Sequence, residues 1–168
     1  MNEPVELTVE ECLELLHGGV IGRVALSTPM GPRIVPINYA MYEDAIVFRT
    51  TPYSELGTYG WNTDLAFEID HIDYEKHQGW SVVAIGRASL VEDPDELHDI
   101  RTHMDPTPWA GGRRHLYIRL VWRDLTGRRI GADWTRTSMT PVRRAAVSAM
   151  WRRTPPLSPT TSAHGQTA

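Results

Sequence analysis

The stretch RIVPINYAMYEDAIVFRT, residues 33–50, decides the fold. Arg33 to Tyr42 and Ala45 to Thr50 are two β-rich runs separated only by Glu43-Asp44, a connection of hairpin length. Pro36 interrupts the first run. It has no N–H to give to a ladder, so the strand there lies at an edge, forms a bulge, or turns towards something other than another strand. Just beyond it, Asn38 and Tyr39 carry groups able to hydrogen-bond. The second run ends in Arg49, Thr50 and Thr51, a guanidinium and two hydroxyls suited to a phosphate. From these residues alone two readings stand: a ligand-holding hairpin, or an ordinary amphipathic one with Val35 and Ile37 in the core and Arg49 paired with an acid such as Glu43 or Asp44.

Upstream, Thr8 and Glu11 form a capping-box pattern, Cys12, Leu13, Leu15 and Leu16 an apolar stripe, and Gly18-Gly19 a stop, which predicts one short N-terminal helix. Gly22 to Thr28 (GRVALST) follows as a strand, reversed by Pro29-Met30-Gly31-Pro32. Downstream, Pro52 to Asn62 is too glycine-broken for a long helix and reads as a helical turn and loop. Leu65 to Ile69 alternates with period two, burying Leu65, Phe67 and Ile69. Trp80 to Leu90 is a long strand with a bulge or bend expected at Gly86. Asp93-Pro94 opens a helix running to Met104, and His115 to Leu125 is the last strand. Six strands with no βαβ alternation predict a mainly β (α+β) fold, a six-stranded antiparallel barrel with the N-terminal helix and one or two further helices.

The 168 residues, 41% hydrophobic and 23% charged, suit one globular domain. It is expected over residues 1–131. Residues 132–168 form a Pro/Ser/Thr-rich tail whose five arginines face one acid, Asp133; there is room for a short helix over 140–153, and the end is expected to be disordered. The formal net charge is −4, so outside this basic tail the body is acidic and a nucleic-acid surface is not expected there. No apolar run approaches the roughly 20 residues needed to cross a bilayer, and the acidic start is unlike a signal peptide, so a cytoplasmic protein without a membrane partner is expected. Cys12 is the only cysteine, which rules out an internal disulfide and a thiolate metal cluster and leaves redox chemistry to a borrowed cofactor. Asp95, Asp99 and His103 share a helix face at spacings of four, read as a solvated face with no metal. His71, with Asp70 and Asp73, is read as a turn after a strand. No nucleophile–His–acid order and no phosphate-binding glycine loop is present.

Five segments in this order, GRVALST, RIVPINYAMYEDAIVFRT, DLAFEIDHID, GWSVVAIGRASLVED and YIRLVWRDLTGRRI, resemble the pyridoxamine 5'-phosphate oxidase-like, FMN-binding split-barrel family over about Leu7 to Ile130. The resemblance implies a split barrel, a homodimer with FMN at its interface, and a flavin-dependent oxidoreductase acting on a small-molecule substrate. It places Pro36, Asn38 and Tyr39 against the flavin, Arg49, Thr50 and Thr51 at its phosphate with Ser54 adding a hydroxyl, and Trp80 and Ser81 on a neighbouring strand that approaches the ring. Trp122 and the Gly127-Arg128-Arg129 turn match a segment that reaches across the dimer, the last two being equally readable as a solvated hairpin tip. Where relatives carry Lys in a Gly-x-Lys-Leu-like pattern, Tyr53-Ser54-Glu55-Leu56 stands here, and Glu55 is expected to limit phosphate affinity. The alternatives are a deazaflavin or haem in the same barrel, or a flavin-binding module without turnover. No residue is singled out as catalytic.

Overall fold

The computed structural model describes residues 3–131; the expected tail and its helix lie outside the described residues. In chain order the elements are β1 (Val5–Glu6), α1 (Val9–Gly18), β2 (Ile21–Thr28), β3 (Gly31–Tyr42), β4 (Ala45–Thr50), α2 (Glu55–Tyr59), β5 (Asp64–Asp73), β6 (Gln78–Leu90), α3 (Pro94–His103) and β7 (Leu116–Ile130). The strands hydrogen-bond in the order β1-β7-β4-β3-β2-β5-β6, and β6 returns to pair with β7. Six strands thus close a ring, and β1 lies outside it on β7.

The alternating pattern decides which side of each strand turns inward. Val24, Leu26, Leu65, Phe67, Val82, Ala84, Ile118 and Leu120 fill the interior. Burying side chains of this kind contributes roughly 1.5–3 kcal/mol each. Thr8 and Glu11 make the full capping box that starts α1, and Cys12, Leu15 and Leu16 face the barrel. The helix comes close enough to β7 that a Cβ on Gly127 would stand 2.6 Å from Cys12 Sγ. A second, smaller core of Val47, Val91, Ile100 and Tyr117 lies under α3, whose start is capped by Asp93.

The six expected strands form the ring, and a seventh, the two-residue β1, joins the edge of β7 that β4 leaves free beyond Val121, with Val5 and Glu6 pairing with Arg129 and Arg128. The same ladder corrects the reading of Gly127-Arg128-Arg129 as a turn. These residues continue β7, since β6 pairs with it as far as Ile130. Likewise Asp70, His71 and Asp73 belong to β5, not to a turn, because β6 supplies partners for each. The reversal comes after Asp73, whose carboxylate accepts hydrogen bonds from the Glu75 and Lys76 amides. Gly86 does sit at a break in the β6–β7 register.

The barrel is split between β3 and β4. β3 pairs with β2 along its length up to Asn38, but with β4 only from Tyr39↔Phe48 to Tyr42↔Ala45. Past Phe48, β4 keeps β7 as its neighbour while β3 has none on that side. Pro36 stands on this unpaired edge, where a missing N–H costs nothing.

Candidate functional site

The gap between β3 and β4 is a cleft of about 290 Å³. One wall is Val35, Pro36, Ile37 and Asn38; the other is Arg49, Thr50 and Ser54, with Glu55 and Leu56 at one side. Val35 and Ile37 also pack against the core, as the amphipathic reading of that strand expects. The loop between α3 and β7 closes the cleft with Pro108, Ala110 and Arg114.

Arg49 is the best-fixed side chain of the site. Its Nε and Nη2 donate to the Arg114 carbonyl at 3.0 and 2.8 Å, and Nη1 donates to Asp105 Oδ2 at 2.8 Å. The guanidinium lies 5.0 Å from the Tyr117 ring centre, and Tyr117 donates its hydroxyl to the other oxygen of Asp105. Burial raises the Tyr117 pKa, so at neutral pH this hydroxyl stays a donor. Three of the five guanidinium N–H groups are engaged, leaving two for a ligand. The acid beside Arg49 is therefore Asp105, neither Glu43 nor Asp44.

Thr50 and Ser54 form a hydroxyl pair 2.7 Å apart. Ser54 Oγ also donates to the Thr51 carbonyl and accepts from the Gly57 amide, capping α2. With its hydrogen on Thr51, Ser54 accepts from Thr50. Gly57 is what allows this cap, since a Cβ there would come within 2.0 Å of the Thr51 oxygen. Thr51 thus contributes its carbonyl to the cap. Asn38 holds the opposite wall: its amide N–H donates to Val20 and its oxygen accepts from the Trp109 amide at 2.9 Å, tying the α3–β7 loop to β3. Glu55 points to Arg33, with Oε1 2.9 Å from Nε in an exposed ion pair.

Four of the expected residues do not line the cleft: Thr51, whose carbonyl serves the α2 cap, Tyr39, Trp80 and Ser81. Tyr39 is fully buried in the core, edge-on to Phe67 at 4.8 Å, with its hydroxyl donated to the Leu16 carbonyl. Trp80 and Ser81 line a second hollow of about 620 Å³ with Asp70, Ile72, Tyr74 and Arg128. There the Trp80 Nε1–H is buried without a partner, and Asp70 is paired with Arg23. Asp99 is engaged by Tyr42 Oη and His103 Nδ1, each at 2.8 Å. Burial and this contact push the Tyr42 pKa up to about 12. Asp105, Pro108, Ala110 and Arg114 had no signal in the sequence, because a polar, glycine-containing loop carries no periodicity from which its landing place could be read.

The family model described as pyridoxamine 5'-phosphate oxidase matches residues 8–129. The chain belongs to the pyridoxamine 5'-phosphate oxidase-like family. The cleft falls inside the matched span, and so does every candidate residue of that family site. The chain is 28% identical over 137 residues to the uncharacterized protein Rv0080 of Mycobacterium tuberculosis, covering 79% of this chain and 89% of the relative. It is 30% identical to the solved FAD binding protein from Mycobacterium smegmatis, with a TM-score of 0.63 over 76% of this chain and 98% of that one. A heme binding protein from Mycobacterium smegmatis shares the fold at 19% identity, with a TM-score of 0.59 over 73% of this chain and 53% of that one. No helix among the described residues is long and apolar enough to cross a membrane.

Proposed function

We propose that this protein binds FMN in the β3–β4 cleft and works as a cytoplasmic, flavin-dependent oxidoreductase on a small-molecule substrate, as a homodimer. The observation that carries the reading is the convergence at one end of the cleft of Arg49, Thr50 and Ser54. This donor set fits a flavin phosphate: two guanidinium N–H groups remain unengaged, and the Thr50–Ser54 pair has hydroxyl hydrogens to exchange for an oxyanion. Along the cleft, Val35, Pro36 and Ile37 offer the flat apolar contact that a ring system needs beside a few polar anchors. The flavin supplies the redox chemistry; the chain's residues bind it, orient it and keep water from it.

The dimer reading rests on the outer face of the sheet. Ile34, Ala25, Ala66 and Ile85 stand opposite one another across β3, β2, β5 and β6, facing away from the core. Ile34 is 69% exposed in the isolated chain. An apolar row of this kind suits a two-fold partner of the same sequence, and light scattering is expected to report twice the chain mass.

Haem is the alternative of a different chemistry, and a relative of this fold binds it. None of the residues lining the cleft is His, Cys or Met, the side chains that usually supply an axial ligand, which favours the flavin. The absorbance spectrum of the purified protein, with mass spectrometry of any cofactor released on denaturation, is the test. A flavin spectrum and mass are expected; a Soret band, or no binding of added FMN at ~100 μM, where even ~5 kcal/mol is visible, contradicts the proposal. Reduction by a nicotinamide donor, followed by turnover with an acceptor, separates an oxidoreductase from a flavin-holding module.

A further inference from the structure

Residues 105–115, the loop between α3 and β7, contain no helix or strand, and of their side chains only Pro106 is buried. A segment with so little buried apolar surface belongs to the part of a fold that opens most readily. The Arg114 Nε–H is buried with no hydrogen-bond partner, which counts against the loop's position because buried donors are normally satisfied. Gly111 and Gly112 give the loop pivots. Apart from chain neighbours, no atom lies within 4 Å of where a Cβ on either would stand, and Gly112 has a φ of 94°, in the left-handed region that favours glycine.

What fastens the loop is polar. At its ends, Arg49 donates to the Arg114 carbonyl and to Asp105, and Tyr117 donates to the other oxygen of Asp105. In its middle, the Trp109 amide donates to Asn38 Oδ1 at 2.9 Å. Asn38 and Arg49 are also walls of the cleft, so the latches of the loop and the polar anchors of the site are the same two side chains. The loop in turn lays Pro108, Ala110 and Arg114 along the cleft. Fastened in this way, the cleft measures about 290 Å³, at the bottom of the roughly 300–1,000 Å³ that small-molecule sites occupy. A ligand with a ring system and a phosphate has to displace the loop to enter.

We infer that residues 105–115 are a strap that unlatches from Asn38 and Arg49 to admit the ligand and latches again over it. The inference rests on the flavin reading of the cleft and extends it from binding to exchange: opening of the strap sets how fast a flavin enters and leaves. Bound ligand and latched strap favour each other, because a ligand held by the two unengaged N–H groups of Arg49 leaves that side chain's bonds to Arg114 and Asp105 in place and adds contacts to Pro108 and Ala110.

The test has two arms, both on the full-length protein. In the first, hydrogen exchange of the amides between residues 107 and 115 is followed by mass spectrometry with and without saturating FMN. Binding is expected to slow this exchange by at least ~10-fold, within the usual range of coupling between two linked equilibria. In the second, the association and dissociation rates of riboflavin are measured by stopped-flow fluorescence for the parent, Asn38→Ala and Asp105→Asn. Riboflavin carries no phosphate that would respond to the lost charge of Asp105. Each substitution weakens one latch, so both rates are expected to rise by ~5-fold, as loss of one net hydrogen bond implies, with the affinity changing less than either rate. A residue that only touched the ligand would speed dissociation alone. Asp105→Asn keeps the shape of its side chain, so this arm stays readable if Asn38→Ala does not fold. Strap exchange unchanged by bound FMN overturns the inference, as do rates that stay at the parent's values or a rise confined to dissociation. In each of these cases flavin binding still stands and the reading of the cleft with it. Failure of both flavins to bind overturns that reading and the strap together.

Discussion

Two junctions of one barrel behave oppositely. Between β6 and β7 the ladder runs from Gly79↔Ile130 to Leu90↔Ile118, broken only at the Gly86 bulge. Between β3 and β4 it lasts four pairs and stops at Tyr39↔Phe48. The first junction is lined inside by Val82, Ala84, Ile118 and Leu120, all buried in the core. The second opens where Pro36 cannot donate and where the chain after Thr50 leaves the sheet for α2. Polar groups from three segments gather in that opening: Asn38, the Arg49–Thr50–Ser54 set, and the α3–β7 loop. The comparison teaches that closure of the sheet builds the packed interior and that its interruption opens the candidate site.

The largest expected effect breaks the closed side. Phe67 is fully buried against Tyr39, and Phe67→Ala is expected to cost about 3–5 kcal/mol, lowering the melting temperature by about 10 °C or more. Thermal unfolding checks it; a drop of only a degree or two would show that the interior there is not packed as described. The open side is probed by Gly57→Ala, whose new Cβ must displace the Thr51 backbone and with it the Ser54 cap. Overpacking of this kind costs about 1–3 kcal/mol, and here FMN affinity should fall with stability, whereas folded Phe67→Ala should keep its affinity.

Smaller effects sharpen the contrast. Because Arg33 already faces Glu55, Glu55→Lys should tighten FMN by only ~2–5-fold at low salt, in line with an exposed pair worth up to ~1 kcal/mol. A calorimetric titration giving a hundredfold gain would mean that Glu55 faces the phosphate directly. The smallest effect concerns His17 at the end of α1, whose pKa is lowered by burial, against a weaker opposing pull from Asp44. A depressed folded-state pKa means that the unfolded chain binds the proton first. His17 therefore contributes stability above the ordinary histidine pKa of about 6.5, and that stability is lost as pH falls below it. Unfolding curves between pH 8 and pH 5 should show the decline, and His17→Leu should flatten it.

Much of this was legible from the sequence, for local reasons. The capping box of α1, the Asp93-Pro94 start of α3, the two-residue turn of the β3–β4 hairpin and the inward set Leu65, Phe67, Ile69 each depend on neighbours a few positions away. What was not legible depends on partners distant in the chain. Thr126 to Ile130 is polar enough to end a strand, yet β6 and β1 extend it. Tyr39 carries a hydroxyl and sits beside Asn38, yet its partner is the Leu16 carbonyl in the core. Pro36, Asn38, Arg49, Thr50 and Ser54 do come together in one cleft, whereas the acid that fixes Arg49 comes from 56 residues away.

The central claim is that Arg49 marks the phosphate end of a flavin held in the β3–β4 cleft. Titration of FMN and of riboflavin into the parent and Arg49→Ala tests it most directly, because the two ligands differ only in that phosphate. A charge-assisted contact worth roughly 1.5–3 kcal/mol predicts a loss of ~10- to 150-fold for FMN. Releasing Asp105 affects both ligands alike, so the ratio of the two losses is the quantity to read. An FMN loss at least ~10-fold greater than the riboflavin loss is expected; equal losses would contradict the account, leaving Arg49 as a support of the loop and placing the phosphate elsewhere.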